Sequence, residues 1–218
     1  MAMFRDSPEA PAIAVFARAP QAGTAKTRLI PVLGASGAAR LQRRLTLRAL
    51  AVAQRAAPGR VCLWAAPDER QRFFRALRWH CGVELRCQSD GDLGQRMAAA
   101  FAVQSGPSLL IGSDCPALQP ADLIAAGETL LAGDEGSGND AVFIPADDGG
   151  YVLVGLRRPR PELFEAIEWG TQRVMQQTRQ RLSRLHLRWV ELPGLWDVDR
   201  PADLARLAGL DGFAAWGR

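Results

Sequence analysis

The stretch Leu109-Leu110-Ile111-Gly112-Ser113-Asp114-Cys115-Pro116 is a short apolar run that leads into an aspartate and a proline. A run of this kind predicts a buried β-strand, here at 108–112, and the proline prevents the chain from continuing straight. Asp114 would then lie at the carboxyl tip of the strand. A hard cation such as Mg²⁺ needs only one or two carboxylates beside substrate phosphates and water, so Asp114 is a candidate metal ligand. In the alternative interpretation, Asp114 is a turn residue that bonds its own backbone.

Strand-like and helix-like segments alternate on both sides of this stretch. The other predicted strands are 12–17, 60–65, 83–87, 141–145, 151–156 and 186–192. Helical periodicity is found at 36–57, 69–78, 93–104, 121–131 and 171–184, and again after Pro201. Because parallel neighbouring strands need a crossover connection, this order predicts an α/β fold with three α/β/α layers and a mainly parallel, mixed sheet.

The length of 218 residues and the hydrophobic content of 48% suit one domain. We place it at 12–210, between a flexible N-terminus at 1–11 and a C-terminal tail at 211–218. The Gly- and Ser-rich segment 133–139 is interpreted as a surface loop. Because residues 1–11 carry charges and prolines and Arg18 ends the apolar run after them, we expect no secretion signal there. No apolar run approaches the roughly 18 residues of a membrane span. We therefore expect a cytoplasmic protein without a membrane partner.

The charges are dispersed. The net charge is +4, and the arginines are spread among Asp and Glu or fall at helical spacing, which favours solvated helix faces over a nucleic-acid surface. The four cysteines have no zinc-like spacing and are interpreted as reduced thiols. Of 27 basic residues only Lys26 is a lysine. A single lysine could remain by chance at any position. Its place in a Gly-containing loop nevertheless suggests that the site needs a compact ammonium, which a guanidinium cannot replace.

The loop after the first predicted strand, residues 18–29, carries Arg18, Gly23, Lys26 and Arg28. It leaves the carboxyl edge of the sheet, where open α/β sheets bind their ligands. Backbone N–H groups of such a loop can turn towards phosphate oxygens, while Lys26 supplies a point charge and Arg28 a fork of donors. The loop has neither the GxGxxG nor the Walker A pattern, and a basic surface loop is the alternative.

Two aspartates near the C-terminus, Asp197 and Asp199, stand two residues apart and share a face if the chain is extended there. Both could then face Asp114, and we favour Asp199 as the second metal ligand. The alternative makes Asp199 the cap of the last helix and places Asp203 in its first turn.

The turn at 145–151, Pro-Ala-Asp-Asp-Gly-Gly-Tyr, joins two predicted strands and lets the backbone approach a ligand closely. It is an acceptor-side candidate, although Asp-Gly-Gly is also an ordinary hairpin turn.

The segment 91–97, Gly-Asp-Leu-Gly-Gln-Arg-Met, opens a predicted helix. Its amides, together with Gln95 or Arg96, could meet a base or a phosphate, and helix capping is the alternative.

Taken together and in this order, these strings resemble a bacterial family of GT-A-like transferases, the arsenosugar-biosynthesis glycosyltransferases, over most of the chain. The family pattern is F-A-R-x-P-x-x-G-x-x-K-T-R-L, L-G-x-R-M, G-S-D-C-P, D-G-G-Y, W-x-T and D-V-D-x-P-x-D-L. In this sequence these strings are 16–29, 93–97, 112–116, 148–151, 169–171 and 197–204. The A-K-T-R-L piece is also similar to the guanylyltransferases that activate phospholactate in deazaflavin cofactor synthesis.

The resemblance implies a GT-A or nucleotidyltransferase-like fold, with a nucleotide across the sheet edge and Mg²⁺ or Mn²⁺ on Asp114 and on Asp199 or Asp197. The residues implied in nucleotide binding are Arg18, Gly23, Lys26, Arg28, Gln95, Arg96 and Ser113. Those implied at the acceptor are Gly149, Gly150, Tyr151, Trp169 and Thr171. The residues implied in catalysis are Lys26, Arg28 and Asp148. Gly170, where Ser is expected, and Arg200, where Thr is common, depart from the pattern on the acceptor side.

Two reactions follow from the resemblance. In glycosyl transfer from a nucleotide-diphosphate sugar, which we favour, the metal neutralises the leaving group and Asp148 deprotonates a small-molecule acceptor. In nucleotidyl transfer, a phosphorylated acceptor attacks a nucleoside triphosphate, and Lys26, Arg28 and Mg²⁺ stabilise the leaving pyrophosphate. A non-catalytic nucleotide sensor is the third reading. We expect no nucleic-acid partner, and a homodimer is compatible with these expectations.

Overall fold

The computed structural model describes residues 10–133, 138–213 and 215–216. Its strands are β1 (Ala12–Arg18), β2 (Val61–Ala66), β3 (Glu84–Cys87), β4 (Ser108–Gly112), β5 (Ala141–Pro145), β6 (Tyr151–Leu156) and β7 (Trp189–Glu191). Its α-helices are α1 (Ile30–Ala56), α2 (Arg72–Cys81), α3 (Leu93–Ala102), α4 (Pro120–Leu131) and α5 (Val174–Arg184). Short 3-10 helices cover Thr27–Leu29, Pro161–Phe164 and Pro201–Gly209. The alternation predicted from the apolar runs is confirmed.

The seven strands form one sheet in the order β3-β2-β1-β4-β6-β5-β7. Only β6 runs antiparallel to its neighbours β4 and β5, and the other pairs are parallel, which confirms the mainly parallel, mixed sheet. The order reverses direction between β1 and β4, so the segments that follow these two strands diverge there and leave a crevice. In open α/β sheets such a switch point is where ligands bind.

Helices cover both faces of the sheet. One buried cluster joins alternate residues of the central strands, such as Val15 and Ile111, to α1, α2 and α4. A second cluster joins the opposite faces, such as Phe16 and Leu110, to α3 and α5. Since successive strand residues point to opposite faces, continuous apolar strands require cover on both sides. The three predicted layers are therefore confirmed.

Several element boundaries differ from the sequence expectations. Helix α1 already begins at Ile30, but Gly34 has a non-helical backbone (φ 68°, ψ 163°), so its regular part begins close to the predicted residue 36. The last helix is 3-10 rather than α. Strand β7 is shorter than 186–192, because His186 has a positive φ of 52° and its N–H bonds back to Ser183.

A third buried cluster joins the region around the start of helix α1 to the C-terminal segment. Leu29, Leu41 and Leu45 pack there against Val198, Leu204, Leu207 and Phe213. Phe213 belongs to the segment 211–218 that we predicted as a tail, and residues 214, 217 and 218 of that segment lie outside the described residues. The same holds for 1–9 of the predicted flexible N-terminus and for 134–137 of the predicted loop.

Among the described helices, none has the length and apolarity to cross a membrane.

Candidate functional site

The loop after β1 is held at the switch point by its own buried residues. Ala25 and Leu29 are fully buried, while Gly23 and Arg28 are exposed. Between them Lys26 has a left-handed backbone (φ 48°, ψ 48°), which is uncommon for a residue with a side chain. Strained backbone of this kind is concentrated at functional sites. The loop therefore directs the side chain of Lys26 inward, while Thr27 and Arg28 stay at the surface.

The side chain of Lys26 joins three segments of the chain. Its Nζ lies 2.9 Å from Oδ2 of Asp114 and donates to the carbonyl of Val198 at 2.5 Å. The N–H of Val198 in turn donates to the carbonyl of Asp114 at 2.9 Å. The loop after β1, the tip of β4 and the C-terminal segment thus meet at one point, as expected for Lys26 and Asp114.

A second ion pair lies beside the first. Arg28 Nη1 bonds to Oδ2 of Asp199, and both side chains are partly exposed. This pair separates two cavities, since both residues line each of them. We call them the donor cleft and the acceptor cavity, after the ligands that the resemblance implies for the residues lining them.

The donor cleft has a volume of about 450 Å³ and crosses the carboxyl ends of the central strands. Of the residues predicted to bind the nucleotide or a metal, Arg18, Lys26, Arg28, Arg96, Ser113, Asp114 and Asp199 line it. Gly23 and Gln95 are not among its lining residues. Four basic side chains thus face two carboxylates, which favours an anionic ligand.

Gln95 and Arg96 have different surroundings. Gln95 forms a capping box with Asp92: its N–H donates to Asp92 Oδ1, and its side-chain oxygen accepts from the Asp92 N–H. Arg96 donates its Nε to the carbonyl of Gly91 at 3.0 Å and lines the donor cleft. The capping alternative thus describes the geometry of Gln95, whereas Arg96 is available to a ligand.

Two glutamines of the cleft were missed in the sequence. Gln42 projects from α1, and Gln88 follows β3, where its Nε2 donates to the carbonyl of Trp64 at 2.9 Å. Gln88 stands at the carboxyl end of a strand, so the rule that ligands bind at this edge could have found it. No signal in the sequence points to Gln42.

The acceptor cavity, about 240 Å³, is rich in carboxylates. It is lined by Asp147, Asp148, Asp197, Asp199 and Asp203, together with three arginines and Thr171. Burial, the largest cause, raises the pKa of Asp197 to about 6; the Asp148 carboxylate adds to this increase, Lys26 opposes it, and Asp114 adds to it. Asp197, Asp148 and Asp114 therefore share one electrostatic environment.

The two C-terminal aspartates have different partners. Asp199 is paired with Arg28, and its N–H donates to Asp203. Asp197 has the raised pKa caused by burial and by Asp148 and Asp114. Which of the two is a metal ligand stays a prediction. Asp199 forms an ion pair with Arg28, whereas none of the ion pairs among the described residues includes Asp197.

The turn between β5 and β6 has the tight geometry expected from its sequence. Asp148 Oδ1 accepts the N–H of Gly150 at 2.9 Å, and the carbonyl of Gly149 accepts the N–H of Met175. Gly149 has a φ of +92°, and a Cβ there would lie 2.2 Å from the carbonyl oxygen of Gln172. The turn is thus packed against the start of α5, and Asp148 stays exposed.

The predicted acceptor residues separate into two groups. Thr171 lines the acceptor cavity and donates its hydroxyl to Glu168. Tyr151 and Trp169 instead pack edge to face in the second core cluster. Burial raises the pKa of Tyr151 well above its usual range, and its hydroxyl faces the sulfur of Met97 at 3.9 Å. Their position is that of packing residues beneath the turn.

A larger cavity of about 910 Å³ lies away from the switch point, along α2 and β3. It is lined by arginines, Trp79 and His80, with Glu69 as its one carboxylate. It includes neither the loop after β1 nor the carboxylate at the tip of β4. The smaller cleft is therefore the candidate functional site.

Several solved structures share this fold, and two of the three described here are transferases by name. A crystal structure from Desulfovibrio desulfuricans G20, provisionally named a nucleotide-diphospho-sugar transferase, is 29% identical with a TM-score of 0.79, covering 93% of this chain and 89% of that one. The inositol-1-phosphate CTP transferase of T. maritima is 14% identical with a TM-score of 0.57, covering 89% and 92%. A Mycobacterium tuberculosis H37Rv protein in complex with manganese is 15% identical with a TM-score of 0.50, covering 87% and 92%. The last two likenesses show the fold alone.

A search of the curated proteins returns no match. One family model, described as an uncharacterized protein conserved in bacteria (DUF2064), matches residues 49–171. That range holds Asp114 and Asp148, while Lys26 and the C-terminal aspartates lie outside it. With more than half of its length matched, and with the fold of the nucleotide-diphospho-sugar transferases and nucleotidyltransferases, this chain belongs to the bacterial family DUF2064.

Proposed function

We propose that this protein is a metal-dependent transferase that binds a nucleotide-activated donor in the donor cleft and transfers a glycosyl group from a nucleotide-diphosphate sugar. The observation that carries the proposal is the Lys26–Asp114 ion pair at the switch point, with the Arg28–Asp199 pair beside it. An ammonium, a guanidinium and two carboxylates at one sheet edge match the needs of a diphosphate and a divalent cation. The name of the D. desulfuricans relative supports the same class.

The carboxylates of the site fit a hard cation. Asp114 and Asp197 would supply the oxygen ligands that Mg²⁺ and Mn²⁺ prefer. Burial, and to a smaller extent the nearby carboxylates, raise the pKa of Asp197, and a bound cation would favour its charged form. Among the described residues, no group of three His, Cys, Asp or Glu side chains is arranged to hold a metal. We therefore assign the metal to Asp114 with Asp197 or Asp199, its coordination completed by donor phosphates and water.

Two basic residues of the cleft, Lys26 and Arg28, have a role towards the diphosphate. An ammonium has three N–H donors, and Lys26 uses two of them on Asp114 and Val198, so one is left for a phosphate oxygen. Arg28 is largely exposed beside the cleft and can direct its remaining N–H groups to the same phosphates. When bound, the metal neutralises the charge that develops on the leaving nucleoside diphosphate.

Asp148 is the proposed general base. One of its oxygens accepts the Gly150 N–H, and the other has no hydrogen-bond partner among the described residues. It lines the acceptor cavity together with Thr171, across the Arg28–Asp199 pair from the donor cleft. An acceptor hydroxyl in that cavity would give its proton to Asp148 as it attacks the donor sugar. The finer identity that the motifs suggest, an arsenosugar-biosynthesis glycosyltransferase, is part of the proposal.

Nucleotidyl transfer is the second candidate. The CTP transferase of T. maritima has the same fold, and three arginines beside the acceptor cavity could receive a phosphorylated acceptor. In that reaction Lys26, Arg28 and the metal would stabilise pyrophosphate. An acceptor that is already ionised needs no base, so Asp148 would be dispensable.

A thermal-shift screen tests the common part of the two candidates. Nucleoside triphosphates and nucleotide sugars are each added with and without Mg²⁺, because a ligand that binds only the folded state raises its melting temperature. We expect Mg²⁺-dependent stabilisation that Asp114→Ala abolishes. Release of a nucleoside diphosphate from a nucleotide sugar then supports glycosyl transfer, and release of pyrophosphate supports the second candidate. Equal stabilisation of wild type and Asp114→Ala would contradict the metal-dependent enzyme.

A further inference from the structure

A chain of hydrogen bonds connects helix α1 to the carboxylate of Asp114. Gln42 Nε2 donates to Ser113 Oγ at 3.0 Å, and Ser113 Oγ donates to Asp114 Oδ1 at 3.2 Å. Gln42 is 3% exposed and Ser113 is 5% exposed, so the bond between them is buried, and the bond to Asp114 is partly buried. Asp114 is therefore linked through Ser113 to Gln42, a side chain of helix α1.

The donor and acceptor roles in this series of hydrogen bonds follow from the bonds of Thr46. The Thr46 hydroxyl donates to the backbone carbonyl of Gln42 at 2.9 Å, so its oxygen can only accept on its other side. The side-chain atom of Gln42 that faces it at 3.3 Å must then be the amide nitrogen, which fixes the orientation of the amide. The same nitrogen donates to Ser113, whose own hydrogen is directed to Asp114.

Both oxygens of Asp114 are thereby assigned to different partners. Oδ1 accepts from Ser113 and Oδ2 is paired with Lys26 at 2.9 Å. Two partners on the two oxygens fix the plane of the carboxylate, while 46% of its side chain stays exposed for a ligand. A methionine at position 42 would fill a similar space without burying an amide, so packing alone gives no reason for a glutamine.

We propose that Gln42 is a positioning residue that orients Asp114 for cation binding by acting through Ser113. The inference rests on the proposed function, because it assumes that Asp114 is a metal ligand. Partners that hold a metal-binding side chain set the affinity of the site, and their loss typically weakens metal binding about 10- to 100-fold.

Helix α1 also supplies a matched control. Arg48 Nε donates to the carbonyl of Pro116 at 2.5 Å, so it supports the same segment two residues beyond Asp114. Among the hydrogen bonds and ion pairs of the described residues, none joins Arg48 to Asp114 or Ser113. A variant at Arg48 therefore perturbs the support of the segment without breaking the chain of bonds to the carboxylate.

The test measures Mn²⁺ affinity, by the paramagnetic resonance of free Mn²⁺, for wild type, Gln42→Met, Ser113→Ala, the double variant and Arg48→Met, with each melting temperature recorded. We expect Gln42→Met and Ser113→Ala each to weaken Mn²⁺ binding about tenfold. Because Gln42 acts through Ser113, the double variant should bind like Ser113→Ala alone. Arg48→Met should melt earlier than wild type but bind Mn²⁺ within about twofold of it.

Several results would overturn the proposal. Wild-type affinity in Gln42→Met, or a double variant whose loss equals the product of the two single losses, means that Gln42 does not act through Ser113. If Gln42→Met fails to fold, Ser113→Ala alone decides, because unchanged Mn²⁺ binding removes the link to Asp114. Absence of Mn²⁺ binding to wild type is a different outcome: it overturns the proposed metal site, and the role of Gln42 with it.

Discussion

Lys26 and Asp114 form an ion pair in which one partner is buried and the other is accessible. Their Nζ and Oδ2 atoms lie 2.9 Å apart, and the side chains are 5% and 46% exposed. The Lys26 ammonium is thus enclosed by protein, while part of the Asp114 carboxylate is exposed to the donor cleft. Such a pair places a positive charge at a fixed point without closing the site to a ligand.

Replacement of Lys26 by Met should weaken nucleotide binding in Mg²⁺ by about tenfold or more, since a hydrogen bond to a charged group contributes roughly 1.5–3 kcal/mol. Lys26→Arg should not restore binding, because a planar guanidinium differs in shape and in hydrogen-bond directions from the ammonium that reaches both Asp114 and Val198. Isothermal titration with the nucleotide that stabilises the protein most is the measurement. Arg78→Met, in the cavity along α2, is the control. Wild-type affinity in Lys26→Met would remove Lys26 from the phosphate site.

Gly149 and Gly23 offer a comparison of two glycines with similar backbones. Their φ values are +92° and +87°, but an added Cβ lies 2.2 Å from the Gln172 carbonyl oxygen at Gly149 and has nothing within 4 Å at Gly23. Gly23→Ala should therefore cost only the backbone strain, about 1 kcal/mol, and Gly149→Ala about 3 kcal/mol or more. Urea unfolding measures both. Equal losses would mean that the turn can move away from α5.

The raised pKa of Asp197 predicts how stability changes with pH. Its value of about 6 in the folded protein lies above the ordinary 3.8, so the folded state binds this proton more tightly than the unfolded state does. The resulting stabilisation is complete below about pH 4 and is lost as the pH rises through 6. Without metal, Asp197→Asn should thus melt above wild type at pH 7.5, by on the order of 3 °C, and close to it at pH 4.5.

Melting curves at the two pH values, with and without Mg²⁺, check this expectation. Mg²⁺ at pH 7.5 should stabilise wild type and have less effect on Asp197→Asn, because the variant lacks the charge that the cation relieves. Asp199→Asn serves as the matched variant, since its carboxylate is paired with Arg28. If Asp197→Asn melts below wild type at pH 7.5, the carboxylate is not destabilised in the folded protein.

The sequence predicted the sheet well because apolar runs and 3.6-residue periodicity report burial directly. It located Lys26 and Asp114 for a related reason, since both follow predicted strands and the carboxyl ends of parallel strands meet at one edge. Strand β7 was predicted too long, because the positive φ of His186 depends on a local turn rather than on hydrophobicity.

Gln42 could not be found in this way. Helical periodicity places it on the inner face of α1, but its contact with Ser113 spans 71 residues and depends on how α1 lies on the sheet. The spacing of Asp197 and Asp199 similarly put both aspartates near Asp114, without distinguishing them. Their difference arises from the burial of Asp197 and from Asp148 and Arg28, which come from two other segments.

Asp148→Asn distinguishes the two candidate reactions. Asparagine keeps an oxygen for the Gly150 N–H but cannot take up a proton, so glycosyl transfer should slow about 100-fold or more with donor affinity unchanged. Asp147→Asn is the neighbouring control, since that carboxylate is paired with Arg206 at 2.9 Å. Turnover and donor affinity are measured separately for each variant. Full turnover of Asp148→Asn with release of pyrophosphate would favour nucleotidyl transfer, and loss of donor affinity instead of turnover would contradict the role of Asp148 as a base.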